Sequence, residues 1–392
     1  MSKSIHDCEL IYPNKKPASR ILEETPSIEL IRESKSQLSF SIENSWENML
    51  ILGENLFVLQ TLIKTYNLKG KIQLIYIDPP FGTNTVWRIG EKRTATVSTS
   101  TKYKHAYSDT LIGSAYLEFL RERLILLREL LSDTGTIYVH IDTKIGHYVK
   151  ILMDEVFGVD NFINDITRIK CNPKNFARKG YGNIKDMILF YSKTSNYKWN
   201  DIREPFTEAE LERLYPKVDP DGKRYTTVPL HAPGETINGP TGKEWKGMKP
   251  PEGRHWRYAP KILDELDEKG LIEWSRNRVP RLKIFAEEGR KKGKKVQDVW
   301  ANFKDPQYPN WPTQKNIDLI KRIIEASSDG EDIVLDAFMG SGTTILAAES
   351  LKRKWIGIDN APQSIEITVK RLKKLKNVSQ FGVYISKERK KG

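Results

Sequence analysis

The chain has 392 residues, of which 38% are hydrophobic and 29% charged, a composition typical of an ordinary folded protein with roughly two domains. No apolar run approaches the roughly 20 residues of a membrane span, and the N-terminal segment MSKSIHDCELIYPNKK has no secretory apolar region, so we expect a cytoplasmic protein. Two cysteines exclude a disulfide scaffold or a four-thiolate zinc site within the chain, and the net charge of +13 favours nucleic acid but also fits a ribosomal or membrane-surface protein.

In chain order, seven short apolar or β-branched runs predict strands: Met49–Gly53, Ile72–Asp78, Thr136–Asp142, Asn164–Lys170, Met187–Tyr191, Ile333–Phe338 and Lys354–Asp359. Several end in Asp or Gly, which is typical of strands that helices cover on both faces. Helical spacing occurs at 56–63 and again at 116–131, where Gly135 would end the helix. The alternation predicts a doubly wound α/β sheet, with the fourth and fifth runs as an antiparallel pair at one edge.

Two stretches interrupt this pattern. Residues 88–109 are polar and rich in Ser and Thr, which indicates a loop. Residues 195–300 are rich in Pro, Gly and Trp, which indicates a second domain. Within it, the basic run 290–295 can contact phosphates, and Asp219-Pro220-Asp221-Gly222 predicts a hairpin turn, because it lacks the Glu of a calcium loop.

The first motif with chemical meaning is Asp78-Pro79-Pro80-Phe81, directly after a hydrophobic strand. Two successive prolines fix φ and remove two backbone donors, which leaves carbonyl acceptors in a rigid turn. Asp78 and the Pro79 carbonyl can accept hydrogen bonds from an exocyclic base amine, while Phe81 stacks on the base. An ordinary strand-ending turn is the alternative.

The second motif is IVLDAFMGSGTT at residues 333–344, a strand followed by a glycine turn and a helix N-terminus that can approach a ligand closely. Thr343 stands where a P-loop needs Lys, and Ile345 stands where a dinucleotide fingerprint needs its third glycine. S-adenosylmethionine carries no phosphate and requires neither residue. The following strand ends in Asp359, where a ribose-binding carboxylate belongs by analogy with the dinucleotide fold.

With these motifs in this order, the chain resembles the amino-methyltransferases that modify DNA, in the permuted arrangement called the beta class. That family places D/N/S-P-P-Y/F/W first, a variable recognition region next and F-x-G-x-G last, and here Asp78 precedes Phe338. The likeness covers 49–193 and 309–375. It implies a doubly wound, seven-stranded, mostly parallel sheet with an inserted target-recognition domain.

The resemblance also implies domain bounds. We expect a catalytic half at 46–194, a target-recognition domain at 195–300 and a cofactor half at 301–380, with an N-terminal extension at 1–45 and a basic tail at 381–392. The strands Ile72–Asp78 and Ile333–Phe338 should be neighbours where the sheet reverses direction, so that their carboxyl ends flank one crevice.

The resemblance implies a catalytic turn at Asp78, Pro79, Pro80 and Phe81 and no metal. Glu54 would face the cofactor adenine, and Gln314 and Lys315 would lie beside its methionine end. The final proline of the family's P-T-Q-K-P element is Asn316 here, which leaves the roles of Gln314 and Lys315 open. The remaining S-adenosylmethionine-binding residues would be Asp336, Phe338, Gly340, Ser341, Gly342, Thr343 and Asp359.

The implied activity is methylation of adenine N6 in a specific site of double-stranded DNA, with the base flipped out of the duplex. Members with Ser-Pro-Pro lean to cytosine N4, which is the nearest alternative. A guanine-N2 RNA methylase, which usually places the cofactor motif first, and a DNA-binding subunit without catalysis are further alternatives. A homodimer partner and a cognate restriction endonuclease are the candidate protein partners, in a prokaryotic cytosol or nucleoid. The recognition sequence cannot be read from the chain.

Overall fold

The computed structural model describes residues 8–33, 46–80, 113–172, 179–306 and 314–387, together with the backbone of 85–89 and 104–109. The chain divides into two compact units. The larger is Met1–Asp201 with Gln297–Gly392, and the smaller is Ile202–Val296. No helix in the described part of the chain is long and apolar enough to cross a membrane.

The helices begin where side-chain caps and apolar spacing predict them. Glu54 caps α2, whose buried Val58, Leu59 and Leu62 face the core, and the Asn316 side chain caps α8 by accepting from the Asp318 N–H at 2.8 Å. In chain order the helices are α1 Ala18–Glu24, α2 Asn55–Lys64, α3 Gly113–Leu130, α4 Gly146–Phe157, α5 Glu208–Leu214, α6 Pro260–Glu268, α7 Ala286–Lys292, α8 Ile317–Ser327, α9 Thr343–Ser350 and α10 Pro362–Leu372.

The strands are short and mostly apolar. In chain order they are β1 Glu29–Arg32, β2 Asn48–Leu52, β3 Ile72–Ile77, β4 Thr85–Ile89, β5 Lys104–Asp109, β6 Leu131–Ile141, β7 Phe162–Ile169, β8 Lys185–Ser192, β9 Arg203–Glu204, β10 Lys217–Val218, β11 Arg224–Pro229, β12 His231–Pro233, β13 Arg254–Trp256, β14 Ile272–Trp274, β15 Pro280–Phe285, β16 Lys294–Lys295, β17 Val299–Trp300, β18 Ile333–Asp336, β19 Lys354–Asp359 and β20 Phe381–Lys387.

The larger unit is built on a ten-stranded sheet in the order β1-β20-β2-β19-β18-β3-β6-β8-β7-β17. All seven predicted strands belong to it, and the doubly wound, mostly parallel fold is confirmed. β7 and β8 form the predicted antiparallel pair, with only the two-residue β17 outside them. β1, β17 and β20 are three strands that the sequence did not predict.

The sheet has two different faces. Alternate residues such as Ile75, Ile77, Ile137 and Val139 pack with α2, α3 and α4 in one hydrophobic core. The residues between them, including Tyr76 and Tyr138, lie on the opposite face, where the Tyr138 hydroxyl is hydrogen-bonded to Ser327 of α8 at 2.7 Å. Every residue of β3 is buried, which explains the continuous apolar run in the sequence.

Three local expectations were wrong. Residues 381–387 of the predicted basic tail form a strand, because the backbone of β20 pairs with both β1 and β2. The α3 helix ends at Leu130, and Gly135 lies within β6, where an added Cβ would stand 2.9 Å from the Ile72 carbonyl. The predicted loop at 88–109 contains part of β4 and all of β5, which pair antiparallel; its centre lies outside the described residues.

The smaller unit has its own core. Trp245, Trp256, Leu263, Ile272 and Leu282 are buried around Leu230, and the Trp245 ring stacks on Trp274 at 5.5 Å. Its four-stranded sheet runs β10-β11-β15-β14, and β10 and β11 form the hairpin predicted around Gly222. Residues 195–201 and 297–300, which the sequence placed in this region, belong to the larger unit.

Candidate active site

The Asp78 turn is fixed by the strand before it. β3 is buried along its whole length and leads without a break into Asp78, Pro79 and Pro80. Pro79 is buried, whereas Asp78 and Pro80 are partly exposed. Since neither proline can donate a hydrogen bond, this turn presents acceptors. Phe81 lies outside the described residues.

The two oxygens of the Asp78 carboxylate have different surroundings. Oδ2 lies 2.8 Å from the ammonium of Lys315, itself 8% exposed. Oδ1 is buried and accepts no hydrogen bond from any residue that the structure describes. A buried acceptor without a donor is destabilising, so Oδ1 is suited to an external N–H group.

The glycine turn between β18 and α9 is held from several sides. The Gly340 N–H donates to Asp359 Oδ2 at 2.8 Å, and the Ser364 hydroxyl donates to the Gly340 carbonyl. Gly342 has φ +73°, and an added Cβ would stand 2.4 Å from the Thr368 side chain. Both observations explain why glycine is required at position 342.

Ser341 and Thr343 are tied to α10. The Arg371 guanidinium donates to the Ser341 carbonyl at 2.5 Å, to the Ser341 hydroxyl at 3.1 Å and to the Thr343 hydroxyl at 3.2 Å. These two residues therefore position the turn as well as lining it.

Three acids surround this turn. Burial raises the pKa of Asp336 to about 7, and the neighbouring charges of Asp78 and Asp359 act in the same direction. Burial likewise raises the pKa of Asp359 to about 6, against hydrogen bonds from the Ala361 and Gly340 N–H groups. Asp336 Oδ1 accepts from the N–H of Phe338 at 2.9 Å. The acidic edge formed by Asp78, Asp336 and Asp359 suits a cationic ligand with hydroxyl groups, since a nearby positive charge favours the ionised carboxylates, and it disfavours a phosphate.

Two residues near Glu54, Arg123 and Asn55, were not predicted from the sequence. Glu54 forms an ion pair with Arg123, which is 4% exposed and donates to Asn55 Oδ1 at 2.6 Å. Asn55 in turn donates to the Ala337 carbonyl at 2.8 Å, so this chain of contacts joins α2 and α3 to the glycine turn. The signal was present in the sequence, because Arg123 interrupts the apolar stripe of Leu120, Leu124 and Leu127.

The topology brings both motifs to one edge. β18 and β3 are parallel neighbours, as the family resemblance implied, with Val334 opposite Leu74 and Leu335 opposite Ile75. Asp78, directly after β3, and Asp336, the last residue of β18, therefore lie at the carboxyl ends of adjacent strands. Lys315, predicted beside the cofactor, contacts Asp78. Among the described residues, no group of three or more His, Cys, Asp or Glu could hold a metal.

Comparison with known proteins agrees with this geometry. A family model described as DNA methylase (N6_N4_Mtase) matches residues 72–370. The chain belongs to this N6/N4 family of DNA methylases. Its cofactor is S-adenosylmethionine, and the acidic edge and glycine turn fit the sulfonium, ammonium and ribose groups of that molecule.

Relatives of this DNA methylase come from restriction–modification systems. The type II methyltransferase M.EcaI of Enterobacter cloacae is 41% identical over 92% of this chain and 77% of its own length. The EcoP15I Mod subunit, part of a type III restriction-modification enzyme of Escherichia coli, is 26% identical over 86% of this chain. The chain covers 61% of that subunit, less than two thirds of its length.

Two solved structures that match this DNA methylase have lower sequence identity. The cytosine-N4-specific PvuII DNA methyltransferase is 14% identical, with a TM-score of 0.47 over 85% of this chain and 88% of its own. The complex of M1.HpyAVI with S-adenosylmethionine is 18% identical, with a TM-score of 0.41 over 83% of this chain and 100% of its own.

Proposed function

We propose that this methylase transfers a methyl group to the N6 amine of adenine in a specific duplex DNA site, with the target base flipped out of the helix. The observation that carries the proposal is the Asp78 carboxylate, with Oδ2 held by Lys315 and Oδ1 buried without a donor from the described residues. The target amine is hidden inside a duplex, which is why base flipping belongs to the proposal.

The exocyclic amine is a weak nucleophile because its lone pair is delocalised into the ring. Asp78 Oδ1 and the Pro79 carbonyl accept its two N–H groups, which directs the lone pair out of the ring plane. Lys315 holds Oδ2, so the carboxylate keeps one orientation, and its negative charge stabilises the nitrogen as that atom becomes positive. When bound, S-adenosylmethionine supplies a methyl group already activated by its sulfonium. Phe81 would stack on the base.

The cofactor contacts also remain proposals. The cofactor would occupy the edge formed by Asp336, Phe338, the turn of Gly340, Ser341, Gly342 and Thr343, and Asp359. Asp359 uses both oxygens to hold main-chain N–H groups, yet a carboxylate has about four acceptor positions, so ribose hydroxyls can share it. Glu54 would face the adenine, with Gln314 and Lys315 toward the methionine end.

Adenine is favoured over cytosine by the residue at position 78. Members of the family with Ser before Pro-Pro lean to cytosine, and this chain has Asp78. An RNA substrate has no support, since the matching family model describes DNA methylases. A subunit without catalysis is disfavoured because Asp78 and the glycine turn are both intact.

The proposal is tested by incubating the purified protein with duplex DNA and methyl-labelled S-adenosylmethionine, and separating the nucleosides after digestion. We expect the label in N6-methyladenine. Label in N4-methylcytosine would contradict the choice of base, and no label in any nucleoside would contradict methyl transfer to DNA.

We further propose that the smaller unit recognises the target DNA. Three arginines surround the 227–231 stretch: Arg254 lies 3.2 Å from His231, Arg257 donates to the Pro229 carbonyl, and Arg281 donates to Thr227. None forms an ion pair with another described residue. By contrast, Arg290 and Lys294 of the basic run are paired with Glu208 and Glu210. Fixed, uncompensated guanidinium groups suit phosphates and base edges.

The recognition proposal predicts a change in salt dependence. Replacing Arg254, Arg257 or Arg281 with Gln should weaken DNA binding and reduce the slope of log affinity against log salt by about 1 for each phosphate that the protein no longer neutralises. Arg290→Gln, on the same unit but paired with Glu208, is the matched control and should leave the slope unchanged. Equal slopes for all four variants and the wild type would contradict this assignment.

Relatives in restriction–modification systems suggest a cognate endonuclease as a partner. The type III relatives are named as Mod subunits of restriction–modification enzymes. A homodimer stays a prediction.

A further inference from the structure

A set of polar side chains lies buried on the same face of the sheet as Asp78, and the proposed methyl transfer does not use it. Tyr76 precedes Asp78 by two residues on β3 and is 2% exposed. His140 of β6 is fully buried, and Asp186 of β8 is 2% exposed. The Tyr76 hydroxyl lies 2.8 Å from His140 Nδ1, and His140 Nε2 lies 3.2 Å from Asp186 Oδ2.

The charge of Asp186 fixes the direction of these hydrogen bonds. Asp186 Oδ1 lies 2.7 Å from the ammonium of Lys170, and Oδ2 lies 3.6 Å from the Arg168 guanidinium. Burial would raise the pKa of Asp186, but the His140 hydrogen bond and the Lys315 charge outweigh burial and hold that pKa below its usual range. An ionised carboxylate only accepts, so His140 Nε2 donates to it and Nδ1 is left as an acceptor.

The Tyr76 hydroxyl must therefore donate to His140. Burial, reinforced by the Lys315 charge, lowers the pKa of His140, so the ring is neutral and Nδ1 keeps its lone pair at neutral pH. A tyrosine has one hydroxyl hydrogen, and this one is committed to His140. The Tyr76 hydrogen is then not available to Asp78, the acceptor two residues along the same face. Burial is the main cause that raises the pKa of Tyr76, and the charge of Asp78 is the next.

From these contacts we infer that His140 is a positioning residue for methyl transfer. By accepting the Tyr76 hydrogen it keeps Asp78 Oδ1 open for the target amine, and Asp186, held by Lys170 and Arg168, keeps the ring in the required tautomer. Any donor inside the protein that occupied Oδ1 would compete with the amine and lower the rate of transfer. The inference rests on the proposed function, because it requires Asp78 to accept the amine.

The experiment measures single-turnover methyl transfer to duplex DNA, alongside the dissociation constants for S-adenosylmethionine and DNA. His140→Leu removes the acceptor and should slow the chemical step at least ~10-fold with little change in either dissociation constant, the pattern expected when an interaction made only in the transition state is removed. Removing the released hydroxyl as well, in His140→Leu with Tyr76→Phe, should restore most of the rate.

The matched control is Tyr138→Phe in the His140→Leu background. Tyr138 is the Cα partner of Tyr76 on β6, is equally buried, and donates or accepts a hydrogen bond at Ser327 rather than near Asp78. We expect Tyr138→Phe not to restore the rate of methyl transfer. If His140→Leu acted only through lost packing or stability, Tyr76→Phe and Tyr138→Phe would have the same effect on that rate.

A second substitution covers a folding failure of His140→Leu. His140→Asn keeps a polar acceptor for Tyr76 and should transfer methyl faster than any folded apolar variant. The inference is overturned if folded His140→Leu transfers methyl at the wild-type rate, if His140→Asn is no faster than a folded apolar variant, or if Tyr138→Phe restores as much of the rate as Tyr76→Phe. Failure of the proposed function is distinguishable, since the wild type itself would then leave adenine unmodified.

Discussion

At the scale of single residues, position matters more than residue type at this site. Asp78 and Asp336 lie at the carboxyl ends of adjacent strands, yet Lys315 holds the Asp78 carboxylate while burial raises the pKa of Asp336 to about 7. Gly342 shows the same dependence in the backbone: its φ of +73° and its closeness to Thr368 together exclude any side chain. Such environments are set by tertiary packing and cannot be read from residue identity.

Gly342→Ala should therefore damage the cofactor site. The left-handed backbone alone costs an alanine roughly 1–3 kcal/mol, and the clash with Thr368 adds to it, so we expect a lower melting temperature and weaker S-adenosylmethionine binding. Gly222→Ala is the matched control, since Gly222 has φ +81° but nothing within 4 Å of an added Cβ. Calorimetry of both variants checks this; equal effects on cofactor affinity would contradict it.

At the scale of elements, the sequence predicted the seven central strands because each is a buried run with a sharp end. It missed β20, since the apolar residues Phe381, Val383 and Ile385 lie directly before the lysine- and arginine-rich end of the given sequence, which was interpreted as one basic tail. It also missed the Arg123 contacts, because a charged residue on an apolar stripe shows its partner only after α2 and α3 pack together. Phe81 lies outside the described residues, so the expectation that it stacks on the target base stays a prediction.

Deleting residues 381–392 should destabilise the larger unit. The deletion removes β20 and exposes the edges of β1 and β2, both of which pair with it. Deleting only 388–392 keeps the strand and serves as the control, with a melting temperature close to that of the full chain. If both truncated proteins had the same melting temperature as the full chain, β20 would have no stabilising role.

At the scale of the whole molecule, the acidic edge links stability to pH. Asp336 and Asp359 have folded-state pKa values of about 7 and about 6, above the ordinary value of 3.8, so the folded protein retains protons that the unfolded chain releases. Their contribution to stability is complete below pH ~4 and is lost as the pH rises through 6 to 7. The cofactor-free protein should thus lose stability between these limits.

Asp336→Asn isolates that contribution. Its melting temperature, measured without added cofactor, should fall less between pH 5 and pH 8 than that of the wild type, because one of the two proton-retaining groups is gone. Asp133→Asn, at a side chain 87% exposed, is the control and should follow the wild type. A wild-type curve no steeper than that of Asp336→Asn would contradict the charge assignment.

We propose separate tasks for the two units: methyl transfer at the sheet edge of the larger, and DNA recognition by the smaller. The first of these proposals depends on the open acceptor that Asp78 would present to adenine. Its most direct test is single-molecule sequencing of DNA from cells that express either the wild type or Asp78→Ala, with cofactor binding by the variant confirmed separately. We predict N6-methyladenine within one short sequence for the wild type and none for Asp78→Ala. Methylated cytosine, or unchanged adenine methylation by the variant, would contradict the claim.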